Sequence, residues 1–125
     1  MSDSIRLSSV TVDCPNAPEL AAFYAEITRG TVVSQSEAWA TVNGPNGRID
    51  FQTVPGYRPP TWPDPTASIQ MHLDFFVDDR AATEARVLGA GGVKLAFQPN
   101  ADHCTVYADP AGHPFCLSTW DDVES

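Results

Sequence analysis

The chain is short of basic residues, of cysteine and of long apolar runs. Seven lysines and arginines stand against sixteen aspartates and glutamates, a formal net charge of −9. Nucleic acids are held by Lys and Arg that displace counterions from phosphate, so this balance argues against a nucleic-acid partner. Anionic membrane surfaces are disfavoured for the same reason. A cationic ligand would gain from the field of the chain, although acidity also serves solubility alone. No stretch approaches the roughly 18 apolar residues of a membrane span. Met1-Ser2-Asp3-Ser4 has neither the basic nor the apolar region of a signal peptide, and a cytoplasmic location is expected. The three cysteines, Cys14, Cys104 and Cys116, are odd in number and widely spaced. They suit a reducing compartment and do not form the close pairs of a zinc site. A phosphate-binding loop is also missing. Neither Gly44-Pro45-Asn46-Gly47 nor Asp109-Pro110-Ala111-Gly112 has the glycine spacing or the lysine it needs.

What is present is a repeat. Each half of the chain opens with a strand that runs into a helical stretch, at Ser9 to Val12 and at His72 to Val77. Each half closes with a tight turn and a strand: Gly44 to Gly47 then Arg48 to Val54, and Asp109 to Gly112 then His113 to Thr119. At 125 residues the chain is one domain by length. Two similar units in one domain imply a pseudo-twofold structure with a site between them.

The elements follow from spacing. Ile5 to Val12 alternates loosely as a strand. Asn16 caps a helix over Glu19 to Ile27, Pro18 lies in its first turn, and Leu20, Phe23, Tyr24 and Ile27 form its buried stripe. Gly30 is expected to stop it. Thr31 to Val33, Ala38 to Val42 and Arg48 to Val54 follow as strands. Gly56 to Ala67 holds four prolines and reads as an irregular connector. Met71 to Val77 reads as a strand buried on both faces. Asp78-Asp79 opens a second helix over Arg80 to Leu88, with Ala81, Ala85 and Leu88 on one side. Gly89, Gly91 and Gly92 end it. Val93 to Gln98, Cys104 to Ala108 and Pro114 to Thr119 complete the pattern.

The expected fold is therefore α+β. Two tandem βαβββ units, residues 5–54 and 70–120 joined by 55–69, would form a curled, half-barrel mixed sheet around a cleft, with the helices on the convex side.

Three segments carry a family resemblance: Pro18 to Tyr24, Gln70-Met71-His72-Leu73-Asp74, and Asp109 to Leu117, with Pro60-Thr61-Trp62-Pro63 beside them. From about Ile5 to Trp120 the chain resembles the glyoxalase-like domains of the vicinal oxygen chelate superfamily. Metal-dependent members hold a divalent ion with four side chains, from the first and last strand of each unit. By position, those places here are Ser9, a residue of the Asp50 to Gln52 stretch, His72 and Cys116. Ser9 is a poor ligand, Cys116 stands where a Glu would, and the inward face of the Asp50 strand is left open. The resemblance thus implies a scaffold without its usual metal set, and no metal or other cofactor is expected.

His72 and Asp74, two apart on one strand, share a face and are the candidate acid–base pair. A satisfied core histidine and a structural hydrogen bond are the plain alternatives. Cys116 reads as a small buried residue, or as a thiolate if His72 activates it. Trp39, Tyr57, Trp62, Phe97 and Tyr107 are candidates to line the cleft as stacking surfaces, with core packing as the alternative. Asp50 and Gln52 complete the candidate ligand-binding set. Two functions follow. One is metal-independent binding of a small organic molecule, planar or cationic, as in antibiotic-sequestering members. The other is a lyase, isomerase or dioxygenase-like enzyme using His72 and Asp74, with or without a metal. The family habit implies a homodimer.

Overall fold

The computed structural model describes residues 5, 7–45, 47–61 and 71–119. Trp62 and Gln70 lie outside the described residues, as do Trp120 and the acidic tail. The chain divides into two compact units, Met1–Tyr57 and Arg58–Ser125.

The first unit runs β1 (Val10–Cys14), α1 (Ala17–Thr28), β2 (Thr31–Gln35), β3 (Trp39–Gly44) and β4 (Gly47–Thr53). The second runs β5 (Leu73–Phe76), α2 (Arg80–Ala90), β6 (Val93–Lys94), β7 (Cys104–Ala108) and β8 (Pro114–Ser118). Each unit forms a four-stranded mixed sheet, ordered β1-β4-β3-β2 and β5-β8-β7-β6. In both, the first strand pairs parallel with the last and the others pair antiparallel. The repeat read from the sequence is thus a repeat of topology.

In the first unit the side chain of Asn16 accepts from the amide of Glu19 at 3.1 Å and caps α1. Leu20, Phe23, Tyr24 and Ile27 are all buried, as their spacing requires. The Tyr24 ring stacks on Phe51 of β4 at 5.5 Å. The helix ends differently from expectation. Arg29, at φ 57, takes the left-handed position instead of Gly30. Gly30 is needed for close approach, since a Cβ there would meet the Asn43 carbonyl oxygen at 2.7 Å.

In the second unit Asp79 caps α2, accepting from the Ala82 amide at 3.1 Å. Gly91, at φ 112, ends it. The stripe Ala81, Ala85, Leu88 is exposed, and the helix meets its sheet through Arg80, Glu84 and Val87. Both triplets have i, i+4 spacing, so periodicity alone does not choose between them. The choice falls to polar partners on the sheet. Arg80 donates to the carbonyls of Ala101 and Asp102 and to the Thr105 hydroxyl at 3.0–3.2 Å. Phe115 completes this core, stacked on Tyr107 at 5.6 Å and edge-on to Phe75.

Three strands depart from expectation. β1 starts at Val10, not Ile5, and runs on to Cys14. β5 is half-exposed in alternation, with Asp74 and Phe76 outward, and is not buried on both faces. The strand from Val93 stops at Lys94 instead of Gln98. There the Gln98 side chain replaces backbone: its amide nitrogen donates to Val106 O at 2.9 Å, and its oxygen accepts from Val106 N at 2.8 Å. The connector residues 55–61 form neither helix nor strand. Among the described residues no helix is long and apolar enough to cross a membrane.

Candidate functional site

Strand alternation gives each sheet one face toward its own helix and one turned away from it, the open face, on which Thr41, Asp50 and Cys116 are nonetheless buried. In the first unit Ile49 and Phe51 turn toward α1, so Arg48, Asp50 and Gln52 share the open face. The face left undecided by the sequence is settled. Asp50 pairs with Thr11 across β1 and with Thr41 across β3. It is 2% exposed, and its carboxylate is surrounded by donors. Ser9 donates to Oδ2 at 2.6 Å and Thr41 to Oδ1 at 2.5 Å. Arg48 adds Nε to both oxygens at 3.2 Å and Nη2 to Oδ2 at 3.1 Å. Burial raises the Asp50 pKa, but these hydrogen bonds and the Arg48 charge outweigh it and hold the carboxyl below its usual range. Trp39 extends the network, with its indole Nε1 donating to Thr41 Oγ1 at 3.2 Å. Gln52 pairs with Trp39 and is exposed. Tyr57 lies half-buried after a turn closed by its amide to Val54 O.

In the second unit Phe115 and Leu117 turn toward α2, which leaves Cys116 on the open face with Asp74, its partner in register. His72 joins them, Nε2 lying 3.3 Å from Asp74 Oδ1. The ligating atoms of His72, Asp74 and Cys116 all fall within 4.8 Å of one another. His72 and Asp74 are exposed, with side-chain exposures of 41% and 65%, and Cys116 is buried. Burial first, then the Asp74 carboxylate and the neighbouring Cys104, push the Cys116 thiol up to about 12. A thiol so placed keeps its proton near neutral pH and is no ready nucleophile.

Position by position, Cys116 answers to Asp50, since each is the last-strand residue that opposes the first strand on the open face. Ser9 answers to His72, each lying two residues before the register partner, Thr11 or Asp74. The four-position metal set of the superfamily can be tested on these contacts. Both oxygens of Asp50 are filled by donors, one of them the Ser9 hydroxyl itself. The first unit therefore offers no free ligand, and the four-residue set does not fit. The second unit supplies three donors of mixed type, of which Cys116 must first lose its proton to bind an ion.

Two candidate residues lie elsewhere. Tyr107 is on the helix face, fully buried, with its hydroxyl donating to Glu84 Oε1 at 2.8 Å. It borders a cleft of about 390 Å³ beside α2, also lined by Arg80, Glu84, Lys94, Gln98 and Thr105. Phe97 is 49% exposed in the loop before β7.

The sequence reading missed Arg48, Thr41 and Asp109. Counting outward from the Gly44–Gly47 turn puts Thr41 opposite Asp50, and alternation puts Arg48 beside it. Asp109 is buried and builds the second turn, where its Oδ1 accepts from the amides of Ala111 and His113 at 2.9 and 3.0 Å.

The glyoxalase-like domain family matches residues 9–118, nearly the whole chain. The chain belongs to that family. The glyoxalase-like domain places it in the vicinal oxygen chelate superfamily, and solved structures agree on the fold. The fosfomycin resistance protein FosX from Mesorhizobium loti is similar at a TM-score of 0.70 and 14% identity, over 99% of this chain and 97% of that one. FosX from Listeria monocytogenes, as an E126Q mutant with Mn(II) and 1S,2S-dihydroxypropylphosphonic acid, gives 0.71 and 15%, over 95% and 91%. A glyoxalase-related enzyme from Fulvimarina pelagi gives 0.66 and 19%, over 92% and 88%. No curated protein matches the sequence.

Proposed function

We propose that this glyoxalase-like domain protein binds a small planar organic molecule, such as an antibiotic or metabolite, and sequesters it without a divalent metal. The observation that carries this reading is Asp50. Its two oxygens take hydrogen bonds from Ser9, Thr41 and Arg48 and leave none for an ion. The similarity to fosfomycin resistance proteins is in keeping with an antibiotic as the ligand class.

Metal analysis of protein purified without added metal tests the reading, together with a thermal-shift screen of planar ligands before and after dialysis against chelator. Trace metal and unchanged ligand stabilisation are expected. A full equivalent of metal whose removal abolishes binding would overturn it.

A second reading rests on His72 and Asp74. Their 3.3 Å contact on an exposed face suits a general base oriented by a carboxylate. His72→Ala separates the two. It abolishes turnover in an enzyme, whereas in a sequestering protein it changes affinity by about 1–3 kcal/mol, the cost of one unmade hydrogen bond.

We infer a cytoplasmic homodimer. Val33, Val93 and Leu88 are 53%, 58% and 46% exposed and offer apolar surface to a second copy. Light scattering on the eluted protein reads the mass directly.

A further inference from the structure

Arg48 is held by Asp50 with only part of its donor set. A guanidinium has five N–H bonds in a planar fork. Here Nε and one bond of Nη2 reach Asp50. Among the described residues Nη1 has no partner, and the Arg48 side chain is 44% exposed. Among the described residues nothing takes the two N–H bonds of Nη1 or the second of Nη2.

The pose of the guanidinium is set from beneath. Asp50 is buried and fixed in turn by Ser9 and Thr41, so Arg48 does not have to be ordered when a ligand arrives. Binding to a pre-ordered group avoids the entropy of immobilising a long side chain. The same chain of hydrogen bonds ends in Trp39, whose indole N–H is tied to Thr41. A partly exposed ring and a cation thus lie at the two ends of one rigid network, on one open face.

We propose that Arg48 is the anchor for an anionic group on a planar organic ligand, with Trp39 as the surface its ring stacks on. This rests on the small-molecule reading above and assigns the ligand's class: an aryl carboxylate or an equivalent organic anion. In this unit a built-in guanidinium meets the ligand's oxygens. Asp50, Thr41 and Ser9 are positioning residues. The net charge of −9 favours a cation at long range. Exposed charges beyond about 8 Å are largely screened at physiological salt, and Asp50 offsets the Arg48 charge at 3.1 Å, so the open N–H bonds of the guanidinium decide.

Three probes with one ring test this: naphthoate, naphthylmethylammonium and the neutral naphthylmethanol. The readout is proton–nitrogen NMR of the Trp39 indole N–H and the Arg48 Nε–H, assigned with Trp39→Phe and Arg48→Lys. In the unmodified protein naphthoate should move both resonances at lower concentration than either other probe. Arg48→Gln should weaken naphthoate by about tenfold or more, the worth of a charge-assisted hydrogen bond. Arg48→Lys should restore part of that, since a point charge lacks the fork. Saturation by the ammonium or the alcohol in preference to naphthoate overturns the anionic assignment and leaves small-molecule binding standing. Naphthoate binding that leaves the Arg48 resonance unmoved overturns Arg48 as the anchor. Failure of all three probes at millimolar concentration overturns both.

Discussion

Asp74 and Cys116 stand opposite each other in the parallel pairing of β5 with β8, and the carboxylate adds to the burial that raises the thiol pKa. Burial has the larger part in this, and the negative charge adds to it. Cys116 should therefore alkylate slowly at neutral pH and gain rate steadily as pH rises toward about 12. Asp74→Asn removes the charge and should lower the thiol pKa, so that the rate climbs at lower pH. Peptide-resolved mass spectrometry after iodoacetamide treatment follows Cys116 apart from Cys104 and Cys14. Equal rates in both proteins would show that the carboxylate does not act on the thiol.

The Asp50 network should stabilise the first unit in a pH-dependent way. The folded pKa lies below the ordinary value of 3.8. The carboxylate's contribution is thus fully present above that pH, and it is lost as pH falls through the lower folded value. Asp50→Asn should be less stable than the parent at pH 6 and show a flatter dependence below about pH 4. Thr41→Val removes one donor to the carboxylate and the acceptor of Trp39, at a cost of about 1–3 kcal/mol. Urea denaturation across pH measures both.

Tyr107 and Glu84 join α2 to its sheet. Burial and the Glu84 carboxylate raise the phenol pKa, and the Tyr107 and Lys94 donors lower that of Glu84. Tyr107→Phe keeps the ring on Phe115 and loses only the hydroxyl, so about 1–2 kcal/mol should be lost. Ligand affinity should not change, because this contact lies on the helix face. A large loss of affinity would place the ligand beside α2 instead.

Gln98 stands in for backbone, and Gln98→Leu should expose this. The Val106 amide would lose its acceptor, its hydrogen exchange should quicken, and about 1–3 kcal/mol should be lost. Unchanged exchange would mean that another group replaces the side chain.

Two glycines that look alike in sequence should behave differently. Gly112 has φ +91, and a Cβ there would lie 2.7 Å from the Pro59 Cβ. Gly112→Ala should cost about 1–3 kcal/mol. Gly47, in the matching turn, has open space for a Cβ, and Gly47→Ala should stay within about 0.5 kcal/mol. Comparing the two melting temperatures checks the contrast.

Much of the scaffold was legible in the residues. The stripe of Leu20, Phe23, Tyr24 and Ile27 has one reading as a helix face, and the caps Asn16 and Asp79 are chemistry written locally. The face of α2 was not legible. Two stripes satisfy the same period, and partners on other strands select between them. The end of β6 was hidden for a similar reason, since the Gln98 side chain competes with backbone for Val106.

The candidate site divides in the same way. That His72 and Asp74 share a face follows from their spacing, whereas the pairing that brings Cys116 opposite Asp74 is a matter of strand register. The state of Cys116 and the saturation of Asp50 were beyond sequence. Burial and the Asp74 carboxylate set the thiol, and the carboxylate of Asp50 is filled only when Ser9, 41 positions away, and Thr41 on the next strand join Arg48 of its own strand.

The sequence by itself determined the order of elements and their doubling, because helix and strand periods, caps and turns act over a few residues, and its motifs carried the resemblance to the family. Tertiary structure alone decided which charges are neutralised and which donors stay open. Those depend on distances of about 3 Å between side chains, and electrostatic energies change steeply over that range.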